Sequence, residues 1–189
     1  MDWKTGLTLA VSILIAAVGF VAKYINDVKI AQRKDRLERV SRQLKEFYGP
    51  LYALIEASEI AWRGFRRKYR PNQSYWRSEP YPNEEEAAAY RLWMREVFMP
   101  LNLRMEKVIV ENADLLDDEK MPACLLTVCA HVSAYKTVLK RWESGDYSEH
   151  LSIVNFPGKE LREYIERVYS RLKNEQEKLV GRLRGKDAA

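Results

Sequence analysis

The chain is poor in the residues that usually announce chemistry: among its 189 positions are two cysteines and two histidines. Two cysteines, Cys124 and Cys129, exclude a disulfide framework and fit a reducing compartment. Cys124 and His131 share a helix face but stand about 10.5 Å apart along its axis, while a zinc ligand must lie at roughly 2.0–2.3 Å. Cys129 and His131, two positions apart, point to different faces. His131 therefore reads as a structural, hydrogen-bonded histidine. Neither it nor His150 follows an Arg or Asn by five to seven positions, which sets aside the helical ribonucleases built on that spacing. The chain has no Gly-rich phosphate loop, no HExxH pair and no nucleophile elbow. No metal, no cofactor and no catalytic residue can be named, and the expectation is a protein that is not an enzyme.

Gly and Pro are also missing from residues 23–48, and no stretch alternates as a strand would. What the chain does have is one long uncharged run, Thr5–Ala22, eighteen positions without a charge. As a helix it is about 27 Å long, close to the roughly 30 Å hydrocarbon core of a bilayer. Trp3 and Tyr24 flank it as interfacial rings do, and Lys4 and Lys23 mark its edges. Behind it come Lys23, Lys29, Arg33, Lys34, Arg36, Arg39, Arg42 and Lys45, against a cancelling Asp2 and Lys4 in front. Lys and Arg stay on the cytoplasmic side, so the expectation is a single-pass inner (plasma) membrane protein of bacterial type, N-terminus outside. A cleaved signal peptide is the rival. The run is long for one, its front carries no net positive charge, and the basic stretch behind would resist translocation.

The net charge of +5 is uneven, with residues 23–70 summing to +7 (13 basic, 6 acidic) and residues 71–189 to −2 (18 basic, 20 acidic). The positive field thus belongs to the membrane-proximal third. From Leu37 an apolar seam appears at steps of 3 and 4: Val40, Leu44, Phe47, Leu51, Leu54, Ser58, Ala61, Phe65. It keeps its phase across Gly49-Pro50, which predicts a kink there and not a reversal. Residues 70–83 are Pro-rich and predict a loop. Asn83 is placed to cap a helix whose first turn, Glu84 to Glu86, complements the dipole and need not hold metal. A third seam runs through Trp93, Val97, Leu101, Met105 and Val108, with Phe98 and Ile109 widening it, and is kinked at Pro100. A fourth, from about 119 to 143, holds Met121, Leu125, Val128, Val132, Tyr135, Leu139 and Trp142, with Asp118 as cap. Pro157 opens the last helix, lined by Leu161, Ile165, Val168, Leu172, Leu179 and Leu183. The expected architecture is all-α. Residues 1–23 form a transmembrane anchor, 24–36 a basic juxtamembrane stalk helix, and 37–183 a cytoplasmic antiparallel bundle of about four long, partly kinked helices; 184–189 is a frayed tail.

Three surfaces stand out. Lys23, Lys29, Arg33 and Lys34 lie close enough to the anchor to meet anionic headgroups. Thr5, Thr8, Ser12, Ala16 and Gly19 form one small-residue stripe that would let a second span approach and make a homo-oligomer. Trp62, Arg63, Arg66, Arg67, Arg70, Tyr75, Trp76 and Arg77 combine Arg with aromatic rings, as binding hot spots and single-strand stacking platforms do. Three functions remain open on this reading. They are a membrane-anchored interaction or regulatory module with a protein partner, a toxin- or defence-like effector that perturbs the bilayer by assembling its spans, and a membrane-tethered nucleic-acid binder. If the stripe drives assembly, Ser12→Leu with Gly19→Leu lowers the oligomeric mass in detergent, measured by light scattering; an unchanged mass removes it.

Overall fold

The structure, a computed structural model, describes the backbone of residues 3–72 and 74–187 and their side chains other than those of 3–6, 8–11 and 182–187. All regular structure among these residues is helical: α1 (Trp3–Arg42), α2 (Gly49–Tyr69), α3 (Glu84–Trp93), α4 (Met99–Glu111), α5 (Ala123–Glu143) and α6 (Gly158–Asp187). Short π-helical turns, Gln43–Tyr48 and Met94–Phe98, join α1 to α2 and α3 to α4 without a break, so about four long rods result. The chain divides into two compact units, Met1–Ser41 with Asn174–Ala189, and Arg42–Lys173.

In the first unit, Arg36 grips Glu175 through Nε at 2.7 Å and Nη2 at 3.0 Å, and Gln176 donates to the Ser41 hydroxyl at 3.0 Å. Val40 and Leu179 are buried. Half-buried Ile30, Arg33 and Leu37 lead up to Val40 along α1. Among the described residues no helix is long and apolar enough to cross a membrane. The expected transmembrane span is therefore unsupported by them; the side chains of Thr5 and Thr8, which it includes, lie outside the described residues. From Ser12 to Lys29 every side chain is exposed, among them Ile13, Leu14, Ile15, Val18, Phe20 and Val21.

The second unit is an antiparallel four-helix arrangement, fixed by which residues meet. Trp62 of α2 packs on Phe98, and Phe65, later in α2, reaches back to Tyr90, earlier on the α3–α4 rod, so the two run antiparallel. Tyr52 stacks on Tyr169 of α6 at 4.8 Å, while Glu56, one turn later, meets Arg162, an earlier residue of α6, at 2.9 Å. Most of the expected seams of α2, α5 and α6 are buried: Leu51, Leu54 and Phe65; Leu125, Val128, Val132, Tyr135 and Trp142; Leu161, Ile165, Val168 and Leu172. Ser58, Ala61, Met121 and Leu139 are half-buried, and the Leu183 side chain lies outside the described residues.

Both prolines inside the rods are met by the same device. Pro has no N–H, and its ring collides with the carbonyl four residues back. Here the turn before each proline is widened by one residue. Gly49 N–H bonds to the Leu44 carbonyl and Met99 N–H to that of Met94, five positions back in each case. Such bulges bend a helix and insert a residue into its register. That insertion shifts the expected α3–α4 face. Phe98, Met105 and Ile109 are buried as expected, but Trp93, Val97, Leu101 and Val108 are only half-buried, and the buried line is completed by Tyr90, Met94 and Asn102. Asn83 caps α3 as expected, its side chain accepting from Glu86 N–H at 2.9 Å while Glu86 accepts from Asn83 N–H. Asp118 does not cap α5, which starts at Ala123 behind Pro122; its carboxylate accepts from the Tyr164 hydroxyl at 2.6 Å.

The widened turn makes a demand on Gly49. A Cβ there would stand 2.3 Å from the Leu44 carbonyl oxygen, whereas one at exposed Gly64 would meet nothing within 4 Å. Gly49→Ala should therefore destabilise the bundle by about 1–3 kcal/mol, in the range of overpacking. Gly64→Ala should stabilise it by about 0.5–1 kcal/mol through helix propensity. Denaturant unfolding of the two variants checks this, and a stabilising Gly49→Ala would contradict the bulge.

Candidate functional site

A cleft of about 730 Å3 opens in the second unit, where α2, loop 70–83, the α3–α4 rod, α5, loop 144–157 and the first turns of α6 converge. It exists because two long loops are held off the helix core by side chains of that core. At the end of α2, Arg70 is buried rather than projecting. Its guanidinium donates to the carbonyls of Ser78 (3.2 Å) and Pro80 and pairs with Glu86 at 3.2 Å. Tyr75 returns a hydroxyl to the Glu86 carbonyl at 2.6 Å. Loop 144–157 is tied from one face of α5. His131 Nδ1 donates to the Val154 carbonyl at 2.6 Å, the Tyr135 hydroxyl to that of His150 at 2.7 Å, and Trp142 Nε1 to that of Glu149 at 2.7 Å.

The walls are aromatic. Trp62 stacks on Phe65, Tyr75 on Tyr90, and Trp76 on the His150 imidazole with centroids 4.3 Å apart. Since the Tyr135 proton is committed to His150, the Tyr90 hydroxyl is the donor in their 3.1 Å contact. Burial pushes Tyr90 up to about 12, against smaller lowering by Tyr135 and Trp76, and pushes Tyr135 higher still. Neither ionises near neutrality. The Trp76 indole N–H is close enough to Tyr90 to bear on its acidity, yet it is buried with no well-formed hydrogen bond.

Both histidines are held neutral. Burial lowers the pKa of His131 against the opposing pull of the Val154 carbonyl. Burial first, and Arg91 second, lower that of His150, with Glu84 opposing. A carbonyl can only accept, so His131 carries its proton on Nδ1 and leaves a lone pair on Nε2. A guanidinium can only donate, so His150 Nε2 accepts from Arg91 Nη1 at 3.0 Å. Arg91 itself is buried, paired with Glu84 and laid over the Tyr147 ring at 4.1 Å.

The expected partner surface is divided by this arrangement. Trp62, Arg66, Tyr75, Trp76 and Arg77 line the cleft. Arg63 and Arg67 are exposed outside it, Arg63 near Glu59 at 3.6 Å, and Arg70 is spent on the loop. Tyr75 and Phe65 are core. Lys23, Lys29 and Lys34 are exposed along α1 and Arg33 is half-buried. Of the small-residue stripe, Ser12, Ala16 and Gly19 are exposed, and the Thr5 and Thr8 side chains lie outside the described residues. The sequence reading missed Asn102, which is buried, lines the cleft and makes no side-chain hydrogen bond among the described residues. It stands next to Leu101, where the seam was expected to run, so nothing in the spacing marked it. Both cysteines are free and half-buried, and their thiols are pushed up by burial. Among the described residues no group of three or more His, Cys, Asp and Glu is placed to hold a metal. Searches against known proteins return nothing that bears on the cleft: no family model matches the chain, and no curated protein or solved structure is significantly similar.

The depressed histidines give a pH dependence with a definite sign. A His whose folded pKa lies below its unfolded value of 6.5 adds stability that is full above 6.5 and is lost as pH falls through the folded pKa. The Tm should therefore be lower at pH 5.5 than at pH 7.5, before most carboxylates protonate. His150→Gln should narrow the difference, because a glutamine oxygen can still accept from Arg91 without gaining a proton. A Tm that is flat or rises towards pH 5.5 would contradict this account.

Proposed function

We propose that the chain is a membrane-anchored, non-enzymatic interaction module that presents a helical bundle on the cytoplasmic side of an inner membrane. The observation that carries this is the exposure of the α1 surface. Leu14, Ile15, Val18 and Phe20 are each more than 60% exposed and lie on different sides of one helix. A helix apolar all round is at home inside a membrane or a protein core, not in water. The uncharged run in the sequence extends this surface to Thr5–Ala22, long enough to span with little tilt. The one-sided Lys and Arg that follow set the bundle on the cytoplasmic side, and Lys23, Lys29, Arg33 and Lys34 would meet anionic headgroups at about 1 kcal/mol each.

A protein partner is the first choice for what the bundle recruits, because exposed Arg63 and Arg67 flank an aromatic cluster as in binding hot spots. Nucleic acid comes second. Assembly through the spans, with Ser12, Ala16 and Gly19 at the contact, is the route by which the same anchor would act as a bilayer-perturbing effector. The test is fractionation with reporter fusions. The full chain should stay in the membrane pellet at alkaline pH, and a C-terminal reporter should be active only in the cytoplasm. Release by alkali, or reporter activity outside the membrane, would contradict the proposal.

A further inference from the structure

The cleft is more specific than an aromatic hollow, and what makes it so is a pair of polar groups on its lining. Asn102 of α4 is 5% exposed and His131 of α5 6% exposed, and both line the cleft. Asn102 makes no side-chain hydrogen bond among the described residues, so its donor and its acceptor are open to a molecule in the cleft. It is held there by the register of the α3–α4 rod, whose buried line passes through residue 102. Antiparallel packing of α4 on α5, with Glu106 close enough to act on Cys129 and Tyr90 bonded to Tyr135, brings Asn102 to the level of His131.

Their chemistry is complementary to one kind of molecular edge. The Asn102 amide offers a donor and an acceptor side by side. The Nδ1 of His131 is committed to the Val154 carbonyl, which leaves Nε2 as a pure acceptor. Asn102 and His131 together bring two acceptors and a donor to the lining they share with Trp62 and Trp76, a set that is met by a flat ring presenting N–H donors next to a ring nitrogen or carbonyl. The rest of the lining carries Arg, Lys and Glu side chains of both signs, which favours no net charge on the occupant. At about 730 Å3 the cleft takes more than a single ring, within the size of ordinary small-molecule sites.

We infer that the cleft binds a neutral, planar nitrogen heterocycle of the nucleobase type, stacked on Trp62 or Trp76 and read through its hydrogen-bonding edge by Asn102 and His131. A sugar or similar polar substituent would extend towards the charged lining. This goes beyond the membrane-module reading and does not rest on it, since every residue involved belongs to Arg42–Lys173.

The test is equilibrium dialysis of the full chain in detergent against labelled adenosine, guanosine, cytidine and uridine in turn. At least one should bind saturably with a Kd below about 1 mM, the level at which a specific site is distinguishable from weak stacking. Asn102→Leu, which keeps the shape and removes both polar atoms, should weaken that nucleoside at least tenfold. Asn102→Asp, which keeps the size but can only accept, should change the order of preference among the four. Far-ultraviolet circular dichroism identifies any variant that fails to fold, and the remaining variant then decides. If none of the four nucleosides binds the wild-type chain below that level, or if both folded variants bind like wild type, the inference is overturned. Either result would leave the membrane assignment untouched.

Discussion

A buried backbone carbonyl must find a donor, and the bundle depends on how its connections meet that demand. The links between rods are too long for tight turns, so their carbonyls would be stranded against the core at a cost of about 1–3 kcal/mol each. Each link is tied by side chains of the rods themselves. Arg70 serves the link before α3, and His131, Tyr135 and Trp142 serve the link before α6. In the link before α5, Gln43 donates to the Leu115 carbonyl at 3.0 Å, and the Tyr48 hydroxyl accepts from Asp117 N–H at 3.0 Å. Buried polar residues in this protein are thus mostly fasteners for backbone. The same fastening keeps two loops standing beside the helices instead of collapsing onto them, and the cleft is the space so preserved.

The helical class and three of the four buried seams were legible because each rests on local periodicity. The fourth was displaced because its period is interrupted. Pro100 signalled a kink, but not that the kink would be a bulge carrying one extra residue, and that residue moves burial from Val97 and Leu101 to Met94 and Asn102, while Phe98 stays buried as expected. Asp118 looked like a cap because it is an acid shortly before a seam; tertiary contact with Tyr164 outweighed the local preference. Arg70 looked like a surface cation because arginine is seldom buried, and only the fold brings together the carbonyls it serves. The cleft could not have been read at all. Its lining comes from six separate segments, and chemistry assembled from distant residues leaves no spacing behind. His131 was legible by half: its hydrogen bond was expected, and the free nitrogen on the other side of the ring was not.

The two units make different demands on their surroundings. The bundle buries Phe47, Tyr48, Phe65, Tyr90, Tyr135 and Trp142 in its core and leaves most charged side chains outside, as a domain in water does. Along α1 the balance is inverted between Ser12 and Val21, where large apolar side chains are exposed on every side. Such a surface needs something apolar around it, and the bilayer is the environment that asks nothing more of the helix than its own hydrogen bonds. On the proposed reading the contrast is a division of labour, anchoring in one unit and recognition in the other.

The recognition proposed for the cleft hangs on one proton. With its Nδ1 hydrogen given to Val154, neutral His131, which lines the cleft, keeps Nε2 as the acceptor of the proposed pair with Asn102. Nitrogen-15 NMR of the histidine side chains in the full-length protein measures this directly. The account predicts that His131 at pH 7 is the neutral Nδ1–H tautomer, with a titration midpoint below 6.5. An Nε2–H tautomer, or an imidazolium at pH 7, would contradict it.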